Sequence, residues 1–235
     1  MDLINQSNGN TDHDCGIFVR DSGIALNTKI AEAALAATPD RKPDKKKSDM
    51  KGRKEVCRRY YDVRMFGGVL AVGDYSCGQV RGPVQLTFAR SIDPILPSDI
   101  TITRVAITKE NEAKETEMGR KALVPYGLYL GKGFFSPMLA TDTGVSSDDL
   151  KLFWQALINM FENDRSAARG YMEMRGIYVY AHDNPLGNAR SGKLFSRIQV
   201  QKKPEIEATR LYEHYNVQLD KSDLPAGVKL VSLLD

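Results

Sequence analysis

The sequence predicts an α+β protein, an antiparallel sheet with helices on one face. Apolar and polar residues alternate at the strand period in several separate segments. One longer segment carries an apolar stripe at helical spacing. The segments do not alternate strand and helix regularly, which excludes a doubly wound parallel sheet.

Taken in order, residues 5–14 are polar and turn-forming, a loop by composition. Residues 16–20 (Gly-Ile-Phe-Val-Arg) read as a short strand. Asn27 suits the N-cap of a helix through Ala37, because Ile30, Ala33, Ala34 and Ala37 recur at helical spacing. Pro39 and Pro43 end that helix and open a basic stretch, 39–59. Tyr60 to Val72 is apolar with glycines, a short helix or strand against the core.

Pro83 to Ile92 alternates as a strand through Val84, Leu86 and Phe88. Residues 100–107 alternate again and run into a charged stretch, 109–121. A glycine-containing β pattern resumes over 123–135. Strand, polar excursion and strand predict a long hairpin projecting from a sheet.

The clearest helix is Asp148 to Arg169, with Leu150, Phe153, Trp154, Leu157, Ile158 and Phe161 on one stripe. Ser146 is its expected N-cap, with Asp149 completing a capping box. Arg165 and Arg169 suit its C-terminal dipole and Gly170 its C′ position. Gly176 to His182 reads as a strand, and 183–193 as a Gly/Asn/Pro loop. A weaker helix or loop then leads to a last strand, 215–219, and a tail through Val231.

The chain has 235 residues, 42% of them hydrophobic and 27% charged, enough for a sizeable core. No window approaches the roughly eighteen consecutive apolar residues of a membrane helix. The first residues lack the basic and apolar regions of a secretory signal. Cys15, Cys57 and Cys77 are odd in number and far apart, so a reducing, cytoplasmic setting is expected.

Net charge is +3, unevenly distributed. From Arg41 to Arg59 ten Lys and Arg oppose three acidic residues, a local +7 that leaves −4 for the rest. This stretch is either a solvated, flexible loop or a polyanion contact.

Motifs for catalysis are missing. No phosphate-binding Gly-Lys loop, no nucleophile elbow and no zinc-protease pair occurs. Gly127, Gly131 and Gly133 have the wrong order for a dinucleotide fingerprint and more simply permit a bend in a strand. His13 with Asp12, Asp14 and Cys15 is a metal cluster only if neighbours in one polar loop converge. His182 and His214 sit singly in strand-like contexts. Glu110, Glu112, Glu115 and Glu117 read as a solvated face. No cofactor is expected.

Basic residues beside glycines are more informative: 78–82 (Gly-Gln-Val-Arg-Gly), 118–121 (Met-Gly-Arg-Lys) and 165–170 (Arg-Ser-Ala-Ala-Arg-Gly). Glycine lets backbone N–H groups approach a phosphate, and arginine adds a forked donor. The bland alternatives are a turn, a loop tip and a helix cap.

Several segments together carry a resemblance. Residues 61–68, ending Phe66-Gly67-Gly68, and 77–91, from Cys77-Gly78-Gln79-Val80-Arg81-Gly82-Pro83 onward, resemble the backbone subunit of the type I-C CRISPR Cascade complex. So do Ile102-Thr103-Arg104, Met118-Gly119-Arg120-Lys121 with Pro125-Tyr126-Gly127-Leu128-Tyr129, and 164–170. The resemblance covers about residues 15 to 200 in the family's order.

It implies a RAMP-type domain over 1–235: a palm like the RNA-recognition motif (ferredoxin-like) from 15–100 and 123–220, with a thumb inserted at about 101–122. It further implies a non-catalytic subunit that polymerises along CRISPR guide RNA as a helical filament, beside other Cascade subunits. Target DNA is then met through the guide. The family's opening strand and Asn-Pro-Asn-Gly-Asp loop have no counterpart, as though this chain starts just after them, so the palm's N-terminal strand is expected to be missing.

On this reading Arg64, Gln79 and Arg81 are the expected palm contacts to RNA phosphate or sugar. Met118, Arg120 and Lys121 are the expected thumb contacts, Met118 as a flexible apolar wedge. Arg165 and Arg169 complete the RNA-binding set, although helix capping also accounts for them. The alternative is an endoribonuclease of the same superfamily that processes CRISPR RNA, with His182 or His214 as base. A small-molecule enzyme is a third, distant reading, disfavoured because no catalytic constellation is visible.

Overall fold

The structure is a computed structural model and describes residues 14–44, 49–71, 73–106, 117–167 and 169–234. In chain order its elements begin with helices α1 (Leu26–Ala37), α2 (Met50–Arg59) and α3 (Tyr61–Phe66). Strands β1 (Gly67–Leu70), β2 (Gly78–Arg81), β3 (Val84–Leu86), β4 (Arg90–Ser91), β5 (Ser98–Arg104), β6 (Glu117–Leu123), β7 (Tyr129–Leu130) and β8 (Gly133–Phe135) follow. Then come α4 (Pro137–Thr143), α5 (Ser147–Asn159), β9 (Tyr178–His182), α6 (Ser191–Phe195), β10 (Ile198–Lys202), β11 (Tyr215–Leu219) and β12 (Val228–Ser232). The fold is α+β. Among the described residues the strands form two-stranded antiparallel ladders: β1–β2, β3–β8, β4–β7, β5–β6, β9–β12 and β10–β11.

The chain forms two compact units. The first comprises Met1–Thr87 and Lys132–Leu157, the second Phe88–Gly131 and Ile158–Asp235.

In the first unit, α1 turns Ile30, Ala33 and Ala34 inward onto Phe18, Val56, Cys57, Val63, Leu70, Cys77 and Val80. Asn27 lies inside the first turn of α1 rather than at its N-cap, which is Ala25 and makes no side-chain cap. The segment read as a strand at 16–20 forms only a single bridge, Gly16 to Tyr60. Lys29 holds that segment instead: its buried Nζ donates to the carbonyl of Phe18 at 2.8 Å.

The basic stretch is half helix, which corrects its reading as a flexible loop. Over the described part, α2 buries Gly52, Val56 and Cys57, and Asp49 caps it by accepting from the Lys51 amide. Residues 45–48 lie outside the described residues. Gly52 is required here: a Cβ would lie 2.8 Å from Cys77 Sγ and 3.2 Å from Ala34 Cα.

The switch from α3 to β1 explains Phe66-Gly67-Gly68. Gly67 has φ +83°, a left-handed conformation that ends the helix, and a Cβ on it would lie 2.5 Å from the Gly82 amide.

Helix α3 has two buried faces. Val63 joins the cluster above, while Tyr61 and Met65 pack with Val84, Leu152 and Phe153. Arg64 lies between them, fully buried. Its Nε and Nη2 form a two-pronged pair with Asp149, at 3.0 and 2.6 Å, and its Nη1 donates to the carbonyl of Cys57 at 2.7 Å. Asp149 also accepts from the Ser146 amide (2.9 Å) and hydroxyl (3.1 Å), while its own amide donates to Ser146 Oγ at 3.1 Å. This is the expected capping box, here built around a buried charge. Tyr61 adds a 3.0 Å hydrogen bond to the Asp149 carbonyl. Burial pushes the Asp149 carboxyl up, but the Arg64 hydrogen bonds, the Ser146 donors and the Arg64 charge outweigh it and hold it below the ordinary carboxylate value.

Helix α5 ends at Asn159, ten residues before the expected Arg169. The apolar stripe runs out at Phe161, and residues 162–169 have no apolar face to bury, so a helix there would gain no packing. Gly170 has the expected positive φ, but in a turn closed by its amide onto the Ser166 carbonyl at 2.7 Å.

In the second unit, β5 and β6 form a hairpin of seven residue pairs, from Ser98↔Leu123 to Arg104↔Glu117, so the return strand falls in the stretch expected to be a polar excursion rather than in 123–135. Residues 107–116, with Glu110, Glu112 and Glu115, lie outside the described residues. Strands β9 and β11 fall where alternation placed them. Val228–Ser232, read as a tail, is β12 and pairs with β9. Strand β10 was read as helix or loop, although Ile198 and Val200 alternate with Gln199 and Gln201. Around β11, the Asp93 carboxylate accepts from the Tyr215 hydroxyl at 2.5 Å and from Thr209 Oγ1 at 3.1 Å. Burial, and then this acceptor role of Asp93, push the Tyr215 phenol up to about 12.

Asp149→Ala leaves the Arg64 charge buried without its counter-ion and is expected to cost about 3–5 kcal/mol in urea unfolding. Because the native carboxyl is held low, the pair's stabilisation is complete above the unfolded value near pH 4 and disappears as pH falls through the native one. Asp149→Asn should therefore flatten the fall in stability below about pH 4, measured by urea unfolding at a series of acidic pH values.

Candidate functional site

For residues 78–82 (Gly-Gln-Val-Arg-Gly) the bland alternative is a turn. They form strand β2 and its exit, and strand geometry decides which side chains are available. Val80 points into the core, so Gln79 and Arg81, one residue either side, share the exposed face. In the ladder Gln79 lies opposite Val69 and Arg81 opposite Gly67, so no cross-strand side chain covers the guanidinium. Among the described residues Arg81 makes no ion pair. Its charge is open to a ligand, and Gln79 offers both amide groups beside it.

Residues 118–121 (Met-Gly-Arg-Lys), for which a loop tip is the bland alternative, lie within β6. Met118 opposes Thr103 and Arg120 opposes Thr101, so both share one face of the hairpin. Lys121 opposes Ile100 and lies on the other face, with Ile102. The expected thumb trio is thus divided two to one across the ribbon. Met118 is 77% exposed, which excludes a core role. Among the described residues neither Arg120 nor Lys121 has an acidic partner.

Arg165 and Arg169 stand beyond the end of α5, so helix capping does not account for them. Each has an acid at hand: Arg165 lies 3.5 Å from Glu162, and Arg169 lies 2.8 Å from Asp164. Both pairs are solvent-exposed and worth about 0–1 kcal/mol, so a phosphate would compete with them readily.

Arg64 is the correction in the set. It is 0% exposed, with Asp149 and backbone carbonyls on its guanidinium, and a phosphate could reach it only by displacing Asp149. It is a core residue. The reason is its place in α3, between two residues that face two parts of the core.

Four arginines of the basic run are likewise engaged internally. Arg41 pairs with Asp49 at 2.8 Å, Arg58 and Arg59 with Glu55 at 2.9 and 2.7 Å, and Arg53 donates to the Cys77 carbonyl at 3.1 Å. The Arg58 hydrogen bond, joined by that of Arg59, holds the Glu55 carboxyl down to about 2. Two of the thiols are buried and inert: burial pushes Cys57 up to about 11 and raises Cys77.

The histidines are held by backbone. His182 Nδ1 accepts from the Asn188 amide at 2.9 Å, and His214 Nδ1 from the Arg210 amide at 3.1 Å. A neutral ring bonded this way carries its proton on Nε2. Of the suspected metal cluster, Asp12 and His13 lie outside the described residues, and Asp14 bonds Arg58 at 3.1 Å. Among the described residues no group of three or more His, Cys, Asp or Glu is placed to hold a metal, and no helix is long and apolar enough to cross a membrane.

Residues absent from the sequence-derived set surround Arg81. It shares an open concavity of about 480 Å³ with Pro83, Gln85, Phe134, Phe135 and Met138. The sequence carries a signal for them: two successive phenylalanines in one strand cannot both face the same side.

The sequence model of a family described as "CRISPR-associated protein Cas7" matches residues 2–220. No curated protein sequence matches the chain. Among solved structures the chain is similar to one in a "CRISPR RNA-guided surveillance complex, pre-nicking", at 18% identity and a TM-score of 0.39, over 56% of this chain and 37% of that one. The chain therefore spans little more than a third of the solved chain's length.

Because Met118 is exposed, Met118→Ala should leave the melting temperature almost unchanged, within the shift that about 0.5 kcal/mol produces. A drop of the size seen for core truncations, about 2–5 kcal/mol, would assign Met118 to packing instead.

Proposed function

The chain belongs to the CRISPR-associated protein Cas7 family, and from that premise we propose that it is a non-catalytic, guide-RNA-binding backbone subunit of a type I-C surveillance complex in the cytoplasm. Copies assemble side by side along the guide with the other subunits, and the guide's bases remain free to pair with target DNA. The observation that carries this reading is the exposed face of β2, where Gln79 and Arg81 stand together with no acidic neighbour on the guanidinium.

Such a surface suits a backbone subunit because the guide varies while the protein does not. Phosphate and sugar contacts ignore sequence, and a forked guanidinium with a neighbouring amide grips a phosphate without reading a base. The hairpin β5–β6 supplies the thumb. Its Met118/Arg120 face pairs an apolar wedge with a cation, the combination that displaces one base while holding the adjacent phosphate. Arg165 and Arg169 contribute as exchangeable phosphate contacts.

The endoribonuclease reading requires a base at the 2′-hydroxyl. Both histidines proposed for it have Nδ1 occupied by a backbone N–H, so each would present a proton rather than a lone pair at Nε2. This supports the non-catalytic reading. Incubation with repeat RNA should give retention without cleavage, and specific cleavage would reverse the assignment.

Two measurements test the backbone reading. Mass measurement on RNAs of graded length should show more copies on longer guides, whereas a fixed stoichiometry would contradict assembly along the RNA. Arg81→Ala should weaken binding equally for unrelated RNA sequences and lower the salt slope by about 0.7. An unchanged slope would remove Arg81 from the interface.

A further inference from the structure

The segment after α5 balances its own charge. Residues 162–170 hold two acids and two arginines, and each arginine has an acid in reach. Arg165 Nη2 lies 3.5 Å from Glu162, and Arg169 Nη1 donates to Asp164 at 2.8 Å. Both members of the second pair stand about half in solvent, at 51% and 46%. This sets the two arginines apart from Arg81, Arg120 and Lys121, which have no acidic partner among the described residues.

The Arg169 pair is made by a turn. Helix α5 has ended at Asn159, so Asp164 and Arg169, five positions apart, do not meet as neighbours on a helix. Instead the Arg169 amide donates to Ser166 Oγ at 3.2 Å and the Gly170 amide to the Ser166 carbonyl at 2.7 Å. Gly170 closes this turn with a φ of +57°. The turn carries the guanidinium back onto the Asp164 carboxylate. Carboxylate and phosphate oxygens make the same charge-assisted hydrogen bonds to arginine, so Asp164 occupies the donor that a phosphate would use.

We propose that Asp164 is an autoinhibitory counter-ion for Arg169, holding the guanidinium until a guide phosphate displaces it. The proposal rests on the guide-RNA reading above, which counts Arg169 among the phosphate contacts. It adds a residue that sets how readily the chain takes up a stray polyanion. A cation already paired offers little to a loose phosphate, because the gain of one ion pair is offset by the loss of another. RNA held by other contacts presents its next phosphate at high effective concentration and can open the pair. Glu162 restrains Arg165 in the same way at longer reach, so its effect is the smaller of the two. The acids thus act against unwanted ligands while the arginines act for the wanted one.

The test is binding of a single-stranded oligoadenylate to the full chain at several salt concentrations. Asp164→Asn keeps the shape of the side chain and removes its charge. It should tighten binding by up to about fivefold, the ceiling set by an exposed ion pair, and steepen the salt slope by up to about 0.7, one further uncompensated contact. Asp164→Glu should bind as the wild type does. If Asp164→Asn does not fold, as judged by circular dichroism, Asp164→Ser gives the same comparison. The decisive reading is a double-mutant cycle: in an Arg169→Ala background, Asp164→Asn should add nothing, because the cation it restrains is gone. An equal gain in both backgrounds makes Asp164 a general negative charge and overturns the proposal. Unchanged affinity and slope in Asp164→Asn also overturn it and leave the guide-RNA reading standing. Failure of the wild type to bind the oligoadenylate overturns the guide-RNA reading itself.

Discussion

The buried pair of Arg64 and Asp149 is the constraint on which the first unit depends. The partners lie 85 positions apart in sequence, and each is fully or nearly fully withdrawn from water. An arginine in that position is tolerable only if every donor is met. Here Asp149 meets two of them and the carbonyls of Asp14, Cys57 and Arg58 meet the rest. One guanidinium thus ties the N-terminal segment, the end of α2, α3 and the start of α5 into one geometry. Asp149 closes the cap of α5 with the same carboxylate, so the start of that helix and the pairing of Arg64 cannot be changed separately.

That constraint also orients the surface. With Arg64 holding α3, the helix must end at Gly67, and the backbone doubles back so closely that Gly82 has no room for a side chain: a Cβ there would lie 2.2 Å from the Phe66 carbonyl carbon. The close approach sets the β1–β2 register. Val80 goes to the core and Gln79 and Arg81 go outward. The exposed Arg81 is therefore placed by a core cation through a helix, a glycine of positive φ and a short ladder.

The charges divide by whether an acid lies within reach. Four arginines of the densest basic run, Arg41, Arg53, Arg58 and Arg59, are engaged by Asp49, Glu55 and the Cys77 carbonyl, while among the described residues Arg81 and Arg120 have no acidic partner. Attraction for a polyanion follows uncompensated charge at an accessible place, not density along the chain. The β5–β6 hairpin makes the same point for apolar groups. A two-stranded ribbon wet on both sides is marginal by itself, and Ile100, Ile102 and Met118 are exposed on it, so its apolar surface suits contact with a partner.

The sequence by itself determined what short-range periodicity and composition can encode. Alternation placed β5 and β9, a last strand was expected at β11, and the apolar stripe with Ser146 and Asp149 placed the start of α5. The glycine-flanked motifs marked Gln79, Arg81, Met118, Arg120 and Lys121 as residues of the right type. Which side chains are exposed, and on which face, depends on packing from far along the chain. Arg64 and Arg81 are the same residue type in neighbouring segments, yet one meets Asp149 in the core and the other stands opposite Gly67 at the surface. Lys121 parts from Met118 and Arg120 because strand parity sends it to the other face. The phenylalanines beside Arg81 arrive from 53 and 54 positions downstream, through β8 pairing with β3. Periodicity reaches only a few residues along the chain, whereas burial and charge compensation depend on partners that folding brings from far away, and those partners decide whether an arginine holds the core together or is free to hold a ligand.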